Sequence, residues 1–355
     1  MKKSGRERFL AALAGKNEEG PPIWMMRQAG RYHSHYQRLK EKHSFIELCK
    51  DTDLACEVTM GPIEDFDFDA AILFSDLLFP LEAMGMGLDY KPGPKLSFHL
   101  KALSDLEKLK TLTPTVVDEA IGFQAVAMKK IRNRLSKDKA LLGFVGAPLT
   151  LYYYAVEGSH QGAEGELRDA KEGLTDGRFA GFCDRLCAGL AYNIRIQADA
   201  GADVVVVMDT CAGELTPEEY RKYALPSLLR VEREYYKNGG TVPLMYYSKG
   251  TGPATWNQLL DSRFVGLGVD WNLPINDVLK TYSGKKAIQG NFDPHLLLLD
   301  PKEFQPHFDA FVKRAQATTR DERKGWICGL GHGILPKTPE ENVRTFMKTI
   351  REIFG

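Results

Sequence analysis

Seven short apolar runs restrict the fold of this chain more than any other feature: DAAILFS at 69–75, LLGFVG at 141–146, DVVVVMD at 203–209, VPLMYYS at 242–248, FVGLGVDW at 264–271, KAIQGNF at 286–292 and GWICGLG at 325–331. A strand with one wet face alternates apolar and polar residues. Runs without that alternation suit parallel strands covered on both faces. Helical patterns lie between them. The clearest, TPEEYRKYALPSLLRVEREYYKNGG, opens with Thr216 as N-cap and Pro217 at the first helical position, and has Gly239 near its end. With the Ile23–Met26 region added, the count reaches about eight strands. The pattern predicts an α/β fold, a single (β/α)8 TIM-type barrel over residues 1–355 with 1–20 as an N-terminal helical extension. A doubly wound open sheet is the alternative. LDYKPGPKLSFHL at 88–100 reads as a small β-hairpin insertion, turning at Pro92 to Pro94.

The charge balance narrows the functions open to such a barrel. Lys plus Arg is 47 and Asp plus Glu is 47, so no global field draws the chain to nucleic acid or an anionic membrane. Any anion affinity is local. The basic N-terminal stretch lacks the apolar core of a signal peptide, and no apolar run reaches bilayer-spanning length. A cytoplasmic location is expected. The six cysteines have no framework spacing and read as reduced thiols. Cys183 and Cys187 share a helix face that could chelate a metal, but no histidine lies near them, and they count as core.

Barrel active sites lie at the C-terminal ends of the strands. Asp76, Asp209 with Thr210, and His332 follow three of the apolar runs. Asp76, in AILFSDLLFPLEAMG, has apolar neighbours on both sides, so its charge needs donors or a cation to offset burial. It would equally serve as a helix N-cap; its position at a strand end favours a site. In PPIWMMRQAGRY, Arg27 and Arg31 stand four apart in a segment that reads as loop, with Gly30 allowing close backbone approach. Each guanidinium offers a planar fork matched to carboxylate or phosphate, and one charge-assisted hydrogen bond contributes roughly 1.5–3 kcal/mol. Two surface arginines in weak ion pairs are the commoner case. Here Trp24, Met25, Met26 and Tyr32 are bulky for a solvated loop and suit a pocket wall. Of the tyrosines in GFVGAPLTLYYYAVEG, Tyr152 and Tyr153 read as packing, while one of the three can reach the pocket. His332, between glycines in GLGHGILP, suits close approach to a ligand; the other histidines read as surface or packing residues.

These segments, with DTCAGELTP, GVDW and QGNFDP, resemble the uroporphyrinogen decarboxylase family from about Pro21 to nearly the end of the chain. The resemblance implies a (β/α)8 barrel that works without metal or organic cofactor, commonly as a homodimer, and removes the carboxyl groups of four acetate side chains of a tetrapyrrole. It implies that Arg27, Gln28, Ala29, Gly30 and Arg31 bind substrate, that Asp76 is the central catalytic carboxylate, and that Tyr154, Thr210 and His332 bind substrate. Arg27 and Arg31 are also catalytic candidates. Thr210 replaces the usual serine and keeps the hydroxyl. Cys211 stands where a larger residue is expected and Leu149 replaces a common tryptophan, a reshaped pocket wall. The rivals are a corrinoid-linked methyltransferase of the same superfamily, which needs a His-x-Cys pair where this chain has MYYSKG, and a non-catalytic tetrapyrrole-binding protein, which has no need of Asp76.

Overall fold

The computed structural model describes residues 2–90, 93–159 and 167–355. The strands, in chain order, are β1 (Ala70–Ile72), β2 (Leu88–Tyr90), β3 (Pro94–Leu96), β4 (Ala140–Gly146), β5 (Val204–Asp209), β6 (Leu244–Ser248), β7 (Phe264–Gly268), β8 (Ala287–Phe292) and β9 (Trp326–Leu330). Among the described residues the main sheet holds seven of them, all parallel, ordered β1-β4-β5-β6-β7-β8-β9. Each apolar run supplies one strand. The fold is the expected α/β type, a curled TIM-like parallel sheet with a separate two-stranded hairpin.

The Ile23–Met26 region is not a full strand. Ile23 alone forms a parallel bridge, to Cys328 of β9. The flanking bonds are Cys328 N–H to the Pro22 carbonyl at 2.9 Å and Trp24 N–H to the Cys328 carbonyl at 3.1 Å. On its other side Ile23 accepts from Asp69 N–H at 3.0 Å and donates to Asp69 Oδ2 at 2.8 Å. The bridge therefore joins the last strand to the first. It is short because Pro21 and Pro22 have no N–H to donate and the chain turns away from Met26 onward.

Strand parity divides the apolar residues between two cores. Ala70, Ile72, Leu142, Val204, Val206, Met208, Met245, Tyr247 and Ile327 point inward and pack with Trp24 and Met26 inside the curled sheet. Their neighbours Ala71, Leu141, Val205, Val207, Leu244, Tyr246, Ile288 and Cys328 point outward under the helices. The first helix, Gly5–Leu13, starts with a capping box between Ser4 and Glu7. It places Phe9, Ala12 and Leu13 in the inner core, and its end is tied to the N-terminal side of the sheet through Arg6 N–H to the Asp138 carbonyl. The extension is a plug in the barrel floor.

Thr216 caps its helix as expected, accepting from Glu219 N–H, and Gly239 has a left-handed φ of 86° after the helix end. Pro226 lacks the N–H an α-helix needs, and the turn Tyr220–Ala224 just before it widens to a π-helix, which accommodates the proline without ending the helix. In the hairpin, Leu88 pairs with Leu96 and Tyr90 with Pro94. Pro94 is thus a strand residue and not part of the turn; Lys91 and Pro92 lie outside the described residues, as does His160. No helix among the described residues is long and apolar enough to cross a membrane. All six cysteines are free and buried.

Candidate active site

The segment Met26–Tyr32 is a series of turns held against the strand ends by four bonds. Gln28 Nε2 donates to the Ala70 carbonyl at 2.9 Å, and Tyr32 Oη donates to the Gln28 carbonyl at 2.9 Å. Ile334 N–H donates to the Met26 carbonyl at 2.9 Å and His33 N–H to the Gly30 carbonyl at 3.0 Å. Gln28 is fully buried, so its side chain is a staple between loop and β1, and a ligand would meet this residue through neighbouring groups instead. Arg27 holds a left-handed φ of 59°, a sparsely populated conformation for a residue with a side chain. The strain is local to the loop that carries the charge.

Arg27 and Arg31 are both exposed, and among the described residues no ion pair takes up either guanidinium. The stem of Arg27 runs across Gly333: a Cβ built on that glycine would lie 2.3 Å from Arg27 Cδ. Gly333 is therefore the groove in which Arg27 rests, directly after His332. Arg31 sits farther out, beside Tyr36, and Gln37 Nε2 donates to its carbonyl. Of the bulky residues assigned to a pocket wall, Met25 and Tyr32 instead pack in the helix-side core, because they fall on the outward parity; Trp24 and Met26 face the barrel interior.

Asp76 lies four residues beyond β1, half-buried. Its Oδ1 accepts from Leu78 N–H at 2.8 Å, so the capping and site readings are both present, one oxygen fixing the turn and the other left to the pocket. Burial pushes its pKa up; the Leu78 N–H, the neighbouring Tyr90 hydroxyl and the Arg27 charge pull it down. The Tyr90 hydroxyl is buried beside this carboxylate without completing a hydrogen bond among the described residues. Tyr154 senses both Asp76, which raises its pKa further, and Arg27, which lowers it, and burial is the largest cause of its rise. Tyr152 and Tyr153 are fully buried packing residues.

Opposite, His332 is half-buried after β9, with Nδ1 2.8 Å from the Tyr247 hydroxyl and its ring nearly parallel to the tyrosine ring. Arg27 acts on Tyr247 as well. Thr210 stands at the end of β5 beside Cys211, whose thiol is pushed up to about 12 by burial and interacts with the Thr210 side chain. Arg27, Asp76, Tyr154, Thr210 and His332 therefore share one end of the barrel, with Arg31 at its edge. Among the described residues no group of three His, Cys, Asp or Glu is placed to hold a metal ion.

A model of the family described as uroporphyrinogen decarboxylase (URO-D) matches residues 4–353. The chain belongs to the uroporphyrinogen decarboxylase family. It is 36% identical to the uroporphyrinogen decarboxylase of Koribacter versatilis, with 97% of this chain and 95% of the relative covered, and 35% identical to that of Geobacter sulfurreducens, with 98% of each covered. A methyltransferase from Methanosarcina mazei superposes with a TM-score of 0.81 over 100% of both chains at 19% identity, a likeness of fold.

Against the family pattern, Leu149 is buried in the helix-side core, so the lost tryptophan is a packing change there and not a reshaped pocket wall. Cys211 is 1% exposed in the same core, with its N–H donating to Thr150 Oγ1 at 3.1 Å. GVDW and QGNFDP brace loops: Asp270 accepts from Asn272 N–H at 3.1 Å, and Asn291 Nδ2 donates to the Asp270 and Leu273 carbonyls at 2.8 Å each. Tyr90 and Tyr247 are site neighbours that sequence reasoning missed. The signal for Tyr247 was its position one residue before the end of β6 on the inward parity.

Proposed function

We propose that this chain decarboxylates the four acetate side chains of uroporphyrinogen III to methyl groups, giving coproporphyrinogen III without metal or organic cofactor. The observation that carries this reading is Asp76: a half-buried carboxylate with one oxygen fixed by Leu78 N–H, set among Arg27, Tyr90 and Tyr154. The substrate is a flexible macrocycle with eight carboxylates at its edge and four inward pyrrole N–H groups. Such a molecule needs cations around its rim and an acceptor at its centre. Arg27 and Arg31 supply the first and Asp76 the second, with its free oxygen accepting pyrrole N–H bonds.

In each cycle a proton adds to the pyrrole ring and creates a cationic sink. The bond from the acetate methylene to its carboxyl carbon breaks, CO2 leaves, and the electron pair moves into the ring. The methylene then takes up a proton to become methyl while the ring proton departs, so one proton is consumed for each CO2 released. Asp76, preorganised beside the ring, stabilises the cation, and a fixed charge aimed at a developing one contributes several kcal/mol in a site shielded from water. Tyr154, Thr210 and His332 hold side-chain carboxylates, and Ala29 and Gly30 shape the backbone between the two arginines. The corrinoid-linked alternative requires thiol activation by a His-x-Cys pair, and β6 ends in Tyr246, Tyr247 and Ser248. A homodimer in the cytoplasm completes the proposal.

Incubation with anaerobic uroporphyrinogen III and no added cofactor, following carboxyl number by chromatography, tests the reaction. The expected products carry seven, six, five and finally four carboxyls. Unchanged substrate, or stoichiometric zinc bound by the pure protein, would overturn it.

A further inference from the structure

Tyr247 points inward from β6 and is 1% exposed. Its hydroxyl oxygen lies 3.0 Å from the Gly331 carbonyl oxygen and 2.8 Å from His332 Nδ1. The two rings are 12° from parallel with centroids 5.8 Å apart. A phenolic hydroxyl carries one hydrogen. The Gly331 carbonyl only accepts, and Gly331 is buried, where an unpaired carbonyl is costly. The tyrosine hydrogen therefore belongs on the bond to Gly331. The contact to Nδ1 then requires its hydrogen to sit on the imidazole. Both contacts are satisfied in this arrangement, whereas the reverse leaves the Gly331 carbonyl without the tyrosine proton.

We infer that Tyr247 is a positioning residue that holds His332 in its Nδ1-protonated form, so that an anionic group bound at Nε2 is bound together with one proton. The proton count follows directly. A neutral imidazole protonated on Nδ1 presents a lone pair at Nε2, which repels a carboxylate; taking up a proton turns Nε2 into an N–H donor, and no covalent bond to the ligand is made or broken. The charged and titratable groups facing this pair come from the surrounding elements: Arg27 from the rim loop, whose stem crosses Gly333, and Asp270 with its neighbour Lys249 from the ends of β7 and β6. Arg27 opposes protonation and Asp270 favours it. They bias the amount of proton uptake, while the hydroxyl selects the nitrogen. The inference rests on the proposed function only for the identity of the anion, a side-chain carboxylate of the macrocycle.

Nitrogen-15 spectra of the imidazoles, with His332 assigned through His332→Gln, test the tautomer directly above the histidine titration. Wild type is expected to show the Nδ1-protonated form. Tyr247→Phe, which keeps the ring stacking and removes the hydroxyl, is expected to move His332 toward the Nε2-protonated form that neutral histidine prefers in water. Calorimetric binding of uroporphyrin III, the oxidised and unreactive octacarboxylate, in buffers of different ionisation enthalpy at pH 8 is expected to report uptake of about one proton in wild type and close to none in Tyr247→Phe. In turnover, KM should rise with pH while kcat holds in wild type, and the KM profile should flatten in the variant. An Nε2-protonated His332 in wild type, or equal proton uptake by both proteins, overturns the inference. The wild-type spectrum decides the tautomer even if the variant fails to fold. A protein with the expected tautomer and no decarboxylation would sink the proposed function and leave this inference standing.

Discussion

Asp76 and Asp209 both follow an apolar run at the same end of the barrel, and burial pushes both carboxyls upward, yet they are built for different work. Asp209 is the last residue of β5 on the outward parity, 1% exposed beneath the helices. Its Oδ1 accepts from Thr150 Oγ1 at 2.7 Å and its Oδ2 from Tyr246 Oη at 2.8 Å, and Tyr220 Oη donates in turn to Tyr246 Oη at 3.0 Å. Both its oxygens are occupied. Asp76 lies beyond its strand, where parity no longer governs direction, and has one oxygen tied to the backbone. A buried carboxylate with both oxygens engaged by the protein is a structural joint. One with an oxygen held and the other left over is prepared for something that is not protein.

The largest effect should separate the two aspartates. Asp76→Asn is expected to lower turnover of uroporphyrinogen by a thousandfold or more, on the order of 4 kcal/mol of lost charge stabilisation, with the thermal midpoint changed by only a few degrees. Near-normal turnover would end the comparison as drawn. Because Asp76 acts as the anion and its pKa is raised, wild-type activity should fall on acidification at a higher pH than an ordinary carboxylate would dictate, and the pH–rate profile checks this.

Next come the rim cations. Arg27→Ala, which removes the charge nearest Asp76, should reduce kcat/KM roughly 10- to 150-fold, the equivalent of about 1.5–3 kcal/mol. Arg31→Ala, farther out, should cost less and stall turnover at partly decarboxylated products. An unchanged product profile by chromatography would remove Arg31 from the rim.

Asp209→Asn should leave turnover within about threefold and act on stability instead. Its pKa is pushed up to about 6 by burial, from an ordinary value of 3.8, so between these limits the folded chain holds a proton that the unfolded chain has lost. The contribution of the protonated group is fully present below the ordinary value and is lost as pH rises through 6, by up to about 3 kcal/mol. Denaturation of wild type and Asp209→Asn across pH 4–7 should therefore converge or cross in favour of the variant as pH rises; parallel curves would refute the assignment. The smallest change is expected from Tyr90→Phe. Losing a hydroxyl that pulls the Asp76 pKa down should shift the acidic limb of the pH–rate profile upward by a few tenths of a pH unit, with kcat on the plateau held.

The strands were legible in the sequence because a run buried on both faces must be apolar throughout, whatever lies around it. The same uniformity hid their direction. Val204 to Asp209 reads alike on both parities, so nothing local distinguishes Met208, inside the barrel, from Asp209, outside it. Met25 was misplaced for the same reason. Asp76, Arg27 and His332 stood out because polar groups and glycines interrupt an apolar pattern. Tyr247 and Tyr90 did not, since a tyrosine in or beside a strand is unremarkable until register brings it to His332 from 85 residues away or hairpin pairing brings it beside Asp76. The dependence of Gly333 on Arg27 is a fact of packing between two loops that close the same ring from opposite ends of the chain.

The helix Gly5–Leu13 seals the barrel floor with Phe9, Ala12 and Leu13, and the inner core is filled from there up to Tyr247. A vessel stoppered at its base is loaded and emptied at one lip. For a macrocycle that is to lose four groups in turn, each departing CO2 leaves past the ring that still blocks the opening, and the next acetate comes into place by the ring rotating or lifting off and settling again. The rhythm of successive cycles is then set by how firmly the rim grips, and a tighter grip would slow the enzyme.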